Sequence, residues 1–165
     1  MGSRFITNLL YVTYLCILVW AILLKMDIHH FYDLLQYGGS RSLNLVPLAG
    51  TAVYNGVIDY QEIGLNVLIF IPFGMYRTLL RPDRGWFFNL LFMVFVSLLF
   101  EGIQYVLAIG ATDVTDLIAN SLGGLLGIIL MHLLLASWKK AAPSRTNLVM
   151  LAGTLALLAG LYLTR

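Results

Sequence analysis

The chain has 165 residues, of which 60% are hydrophobic and only 11% charged, where a soluble domain carries about 25% charged residues. One water-soluble core cannot absorb that much apolar surface, so the bilayer must serve as solvent. The formal net charge is +2, and the Lys and Arg residues are scattered rather than patched, which argues against a nucleic-acid partner.

Five apolar stretches are predicted as membrane helices, at about 5–24, 63–80, 86–107, 113–136 and 147–163. Each is near the roughly 20 residues a helix needs to cross the hydrocarbon core. In lipid such segments are helical because every backbone amide must be satisfied internally. The first is read as an uncleaved span, since no small-residue cleavage site follows it. Cys16 lies within it and is expected to be a buried small hydrophobe.

The link from Lys25 to Glu62 is too long and too patterned to be slack. "DIHHFYDLLQYGG" predicts a short amphipathic helix opened by Asp27 and closed at Gly38. His29 and His30 then sit at the interface rather than on a metal. "RSLNLVPL" predicts extended chain, because Val46 precedes Pro47. "YNG" is a turn signal, and "DYQE" resembles a capping box opening the second span. The glycines Gly123 and Gly127 predict close helix packing, and Pro72–Phe73–Gly74 a kink or packing feature.

The expected fold is all-α: a multi-pass transmembrane helical bundle of about five spans, with a long structured outer loop between spans one and two. Residues 1–165 form one membrane domain. Arg4, Arg77, Arg81, Arg84, Lys139, Lys140 and Arg145 fall on one side, and Lys25, Arg41 and Arg165 on the other. The richer side is expected to be cytoplasmic, with the N-terminus inside and the C-terminus outside.

Polar residues inside membrane helices default to a functional hypothesis. Ser97, Glu101 and Gln104 share one face of the third span. Asp113, Asp116 and Asn120 share one face of the fourth, and Asn66 lies near the start of the second. By a rise of about 1.5 Å per residue, Glu101 lies about 9 Å below the surface, and Asp116 and Asn66 about 5 Å. Alternation of the spans puts all of them at one end of the bundle, the outer leaflet by charge bias. Arg41 and Asn44 of the loop share that end. The inner halves read as almost wholly apolar.

Structural roles stand beside these. Asp113 and Asp116 fit a capping pair at the start of the fourth span. Asn66 and Asn120 could equally be helix–helix glue. Glu101 lies at a helix C-terminus, where the dipole disfavours an anion. It needs a partner, from Arg41, Gln104, an Asn or water.

There is no HExxH, CxxC or P-loop motif. No metal or cofactor is expected. Glu101 and Asp116 are candidates for acid–base catalysis, but they suit binding without turnover as well.

The motifs R-x-x-N-L-x-P, N-x-x-x-F-x-P-x-G, E-x-x-Q and D-x-x-D-x-x-x-N-x-x-G-G occur in that order, from Arg41 to Gly124. Together they resemble the VanZ-like family of bacterial membrane proteins, over nearly the whole chain. Leu48 departs slightly, standing where an aromatic is expected after the proline. The resemblance implies a cytoplasmic-membrane protein giving low-level teicoplanin resistance without rebuilding the D-Ala-D-Ala target. It implies no agreed mechanism. Membrane lipids are the expected surroundings. A lipid-linked peptidoglycan precursor or the lipoglycopeptide itself is the expected ligand, bound by Arg41, Asn44, Asn66, Glu101, Gln104, Asp113, Asp116 and Asn120. The rival functions are an intramembrane enzyme acting on an envelope lipid and, third, a small transporter.

Overall fold

The computed structural model describes residues 4–23, 36, 41–49, 53–54, 56–109, 111–138 and 142–163. In chain order these form α1 (Arg4–Leu23), β1 (Ser42–Asn44), β2 (Val53–Tyr54), β3 (Val57–Ile58), α2 (Tyr60–Leu80), α3 (Trp86–Leu107), β4 (Ala111–Asp113), α4 (Val114–Trp138) and α5 (Ala142–Leu163). Four helices, α1 to α4, are long and apolar enough to cross a membrane. The fifth expected span falls within α5, a helix of 22 residues that packs on α1, α2 and α4. The protein is an all-α membrane bundle. The amphipathic helix expected from Asp27 to Gly38, with His29 and His30, lies outside the described residues but for Gln36.

The helix ends follow local chemistry. Asp59 opens α2, its carboxylate accepting from the backbone N–H groups of Gln61 and Glu62, both at 3.0 Å. These are donors that the first helical turn leaves unpaired. The third helix closes at Ala108 in the left-handed conformation, φ 54°, with the Ile109 N–H returning to the Gln104 carbonyl at 3.1 Å. That is a Schellman stop.

The loop after α1 is tied to the rest by backbone. Strand β1 pairs in parallel with β4, matching Ser42 to Ala111, Leu43 to Thr112 and Asn44 to Asp113. The expected extended run therefore ends at Asn44. From Val46 to Ala49 the chain turns, the Ala49 N–H meeting the Val46 carbonyl at 3.3 Å. Pro47 takes the first corner and Leu48 the second with φ 57°, as a type II turn requires. The "YNG" signal falls in the antiparallel hairpin of β2 and β3, with Gly56 at φ 79°.

Packing centres on α2 against α4. A Cβ added at Gly127 would lie 2.0 Å from the Ile71 carbonyl oxygen, and one at Gly123 2.1 Å from that of Val67. From the other side, a Cβ on Gly74 would lie 2.1 Å from the Gly124 oxygen. The two backbones thus touch over more than a helical turn, which only glycine permits. Beside this seam, Tyr14, Phe70, Phe73, Tyr76, Met93 and Met131 form a buried core with Phe100. The aromatic rings of Phe70 meet those of Phe73 and Phe100 edge-on. Pro72 lacks the helical N–H that would reach the Leu68 carbonyl, and the next carbonyl along the ladder, that of Ile69, accepts from the Tyr14 hydroxyl.

Two expectations are corrected. Cys16 is exposed on α1, on a surface facing lipid rather than the core. The end of the bundle opposite Glu101 is not wholly apolar inside: Thr7, Thr78, Asn89, Thr146 and Asn147 are all buried there. The Thr7 hydroxyl donates to Asn147 Oδ1 at 2.8 Å, joining α1 to α5. These residues lie near helix ends, where polar side chains ordinarily face water, so their inward direction is not visible in the sequence.

Gly127→Ala is expected to lower stability by about 1–3 kcal/mol through overpacking. Gly64→Ala, where an added Cβ meets nothing within 4 Å, should be neutral or stabilising. Thermal unfolding of the purified variants in detergent checks both.

Candidate functional site

The third helix buries one stripe: Asn89, Met93, Ser97, Phe100, Glu101 and Gln104. The spacing of three and four keeps these on one face. At its C-terminal end, Gln104 Nε2 donates to the Ile22 carbonyl at 2.9 Å, pinning the end of α1. Ser97 Oγ accepts from Asn120 Nδ2 at 3.0 Å, pinning α4.

Glu101, only 5% exposed, accepts the backbone N–H of Asp113 at 3.0 Å. This partner is a main-chain donor, and it stands outside the side chains that the sequence put forward. Asp113 caps α4, its Oδ1 accepting from the Thr115 N–H at 2.7 Å. In an ordinary capping box, a carboxylate three residues into the helix returns to the capping residue's N–H. Here Glu101 of the preceding helix supplies that carboxylate. Asp116 Oδ1 accepts instead from Asn66 Nδ2 of α2 at 2.7 Å. The expected capping pair is therefore half correct: Asp113 caps, and Asp116 joins two helices.

The loop enters through Asn44. Its Nδ2 donates to Asp113 Oδ2 at 3.0 Å and to the Ala49 carbonyl, while its Oδ1 accepts the Val46 N–H at 3.1 Å. The Leu48 N–H reaches Thr115 Oγ1 at 3.0 Å. Arg41, one of the four alternative partners expected for Glu101, caps α3. Its Nε and Nη2 donate to the carbonyls of Tyr105 and Val106 at 3.2 and 3.3 Å, where the helix dipole favours a cation.

Between these helices lies a cavity of about 320 Å³. Of the eight expected residues, it brings together Asn66, Glu101, Gln104, Asp116 and Asn120. Asp59, Gln61 and Glu62 complete the polar lining, and Ala21, Ile22, Leu65 and Ile69 the apolar part. The first three were read only as the opening of a helix. The signal was present: Glu62, Asn66 and Ile69 share one helical face. Asn44 and Asp113 line a second hollow of about 340 Å³, whose wall is mostly apolar, including Leu43, Leu98, Tyr105 and Leu117. Glu101 borders both hollows. Arg41 lines neither. Among the described residues, no three His, Cys, Asp or Glu side chains are grouped as metal ligands.

A long-helix bundle with a polar cavity at one end and an apolar hollow beside it defines a multi-pass membrane protein of a recognisable class. The VanZ/LLP1 family model matches residues 11–135. A curated protein of Enterococcus faecium named "Protein VanZ" is 40% identical over 120 residues, covering 73% of this chain and 70% of that protein. No solved structure matches the chain. The chain belongs to the VanZ/LLP1 family. The matched region contains all eight expected site residues and ends before α5.

Glu101→Ala would leave the Asp113 N–H without its acceptor, a loss of about 1–3 kcal/mol for a buried donor. Glu101→Gln retains an acceptor oxygen and should melt close to the parent. Comparing the two by thermal unfolding separates the structural bond from the charge.

Proposed function

We propose that this protein binds an amphiphile, a lipid-linked cell-wall component or the lipoglycopeptide itself, at a site in the outer leaflet, and so acts in glycopeptide resistance. The observation that carries this is the pairing of a polar cavity with an apolar hollow across one residue, Glu101. Pockets of about 300–1,000 Å³ with a few convergent polar groups are typical of ligand sites. A head group would enter the polar cavity and an acyl or prenyl chain the hollow, whose rim residues Leu43, Leu45, Leu98 and Tyr105 are exposed. Membership of the VanZ/LLP1 family supports the resistance setting.

The orientation rests on positive charge. With the Arg-rich side cytoplasmic, the N-terminus is inside, the C-terminus outside, and Glu101 lies in the outer half of the membrane. In a Cys16→Ser background, Arg41→Cys should react with an impermeant maleimide added to intact cells. Labelling only after the membrane is opened would reverse the topology.

Glu101→Gln and Asp116→Asn keep hydrogen-bond acceptors while removing charge. Expressed at parental levels in a susceptible host, each should reduce teicoplanin resistance to that of the empty vector. Resistance unchanged in both would sink the site. One observation keeps an enzyme as the second reading: Glu101 and Asp116 face the same cavity. Purified protein incubated with labelled lipid precursor decides between them, since a new product means catalysis.

A further inference from the structure

We infer that the turn from Leu45 to Leu48 is seated in lipid, dipping into the acyl boundary of the leaflet on the Glu101 side. Its side chains are apolar and turned outward. Leu43, Leu45, Val46 and Leu48 are 57%, 70%, 61% and 49% exposed, and Pro47 between them is exposed as well. In water so dense an apolar run is unfavourable. The depth of the turn decides which solvent it meets. Leu45 lines the same hollow as Leu98 of α3 and Leu117 of α4. Leu98 precedes Tyr105 by seven residues, about 10 Å at the helical rise, and Leu117 lies within the first turn of α4. Tyr60 and Tyr105, both exposed near helix ends, mark the level of the aromatic belt at the membrane surface. The turn therefore hangs below that belt, beside Leu98, itself half exposed on a membrane helix.

The backbone is equipped for the same surroundings. A turn in water can leave its N–H groups to solvent, whereas in lipid each must be met within the protein. From Val46 to Ala49 every one is met. The Val46 N–H donates to Asn44 Oδ1 at 3.1 Å, the Leu48 N–H to Thr115 Oγ1 at 3.0 Å and the Ala49 N–H to the Val46 carbonyl at 3.3 Å. Pro47, at the corner, has none to satisfy. Asn44, half-buried behind the turn, gives its own N–H groups to Asp113 and the Ala49 carbonyl. Polar groups turn inward and apolar side chains outward, the inverse of a loop in water. With lipid beside the turn, the neighbouring hollow opens on the leaflet. This placement depends neither on the ligand nor on which leaflet is the outer one.

The test uses the full chain in phosphatidylcholine vesicles, with a nitroxide spin label at Leu45→Cys and, separately, at Val46→Cys, each in a Cys16→Ser background. Both side chains are exposed, and unchanged melting confirms the fold; Leu48→Cys replaces either variant that melts differently. Relaxation by oxygen, which concentrates in lipid, is compared with relaxation by a water-soluble nickel chelate. A label at Asp83→Cys, whose parent side chain is 65% exposed in the link between α2 and α3, gives the aqueous value. The ratio of oxygen to nickel access should be at least several-fold higher at Leu45 and Val46 than at Asp83. Nickel access as high as at Asp83 at either position means that the turn faces water and overturns the inference. Low access to both reagents overturns it too, since protein, a second copy or another part of this chain, then covers the turn.

Discussion

The bond from the Asp113 N–H to Glu101 holds the candidate site together. It joins the C-terminal part of α3 to the cap of α4 across the connecting strand. Because β4 pairs with β1, the same bond fixes where the loop carrying Asn44 can lie. Through Asn44 and Thr115 the turn at Pro47 is then placed. A carboxylate near a helix C-terminus is unfavourable to that helix. Here it acts as part of the next helix's N-terminal cap, where a negative charge is favourable. Glu101 sits at the end of one helix and serves the beginning of another.

This arrangement explains how the site relates to the family. The matched region runs from within α1 to within α4. It therefore contains the Glu101 joint, the β1–β4 pair and both hollows. The fifth helix lies outside that match and braces the opposite end through Asn147 and Thr7. One end of the bundle carries the candidate site, and the other carries a separate polar layer. Between the two lie Phe70, Phe73 and Met93 of the buried core.

Much of this was legible in the sequence. Hydropathy and length located the helices, because the bilayer fixes both. The shared faces of Glu101 with Gln104, and of Asp116 with Asn120, followed from helical spacing and hold in the structure. What remained hidden were interactions with main-chain groups. The acceptor need of Glu101 was apparent, but one of its donors is a backbone N–H, which every residue but proline carries and no motif marks. Arg41 likewise binds two carbonyls. Glu62 was absorbed into a capping motif, since one side chain can be read as local or long-range and the local meaning is simpler. The strand pairing of Ser42–Asn44 was hidden for a further reason: its partner is a three-residue connector with no strand pattern of its own.

The glycine seam between α2 and α4 sets the spacing of one wall of the cavity. Glu62 and Asn66 on one helix, and Asp116 and Asn120 on the other, hang from backbones in direct contact. Their separation cannot be adjusted by changing a side chain, and neither helix can draw back without giving up that contact. The facing half, from α1 and α3, is fastened by side-chain hydrogen bonds at Gln104, Ser97 and Glu101. The site therefore has a fixed jaw and an adjustable one. Any widening of the cavity falls to the α1–α3 side.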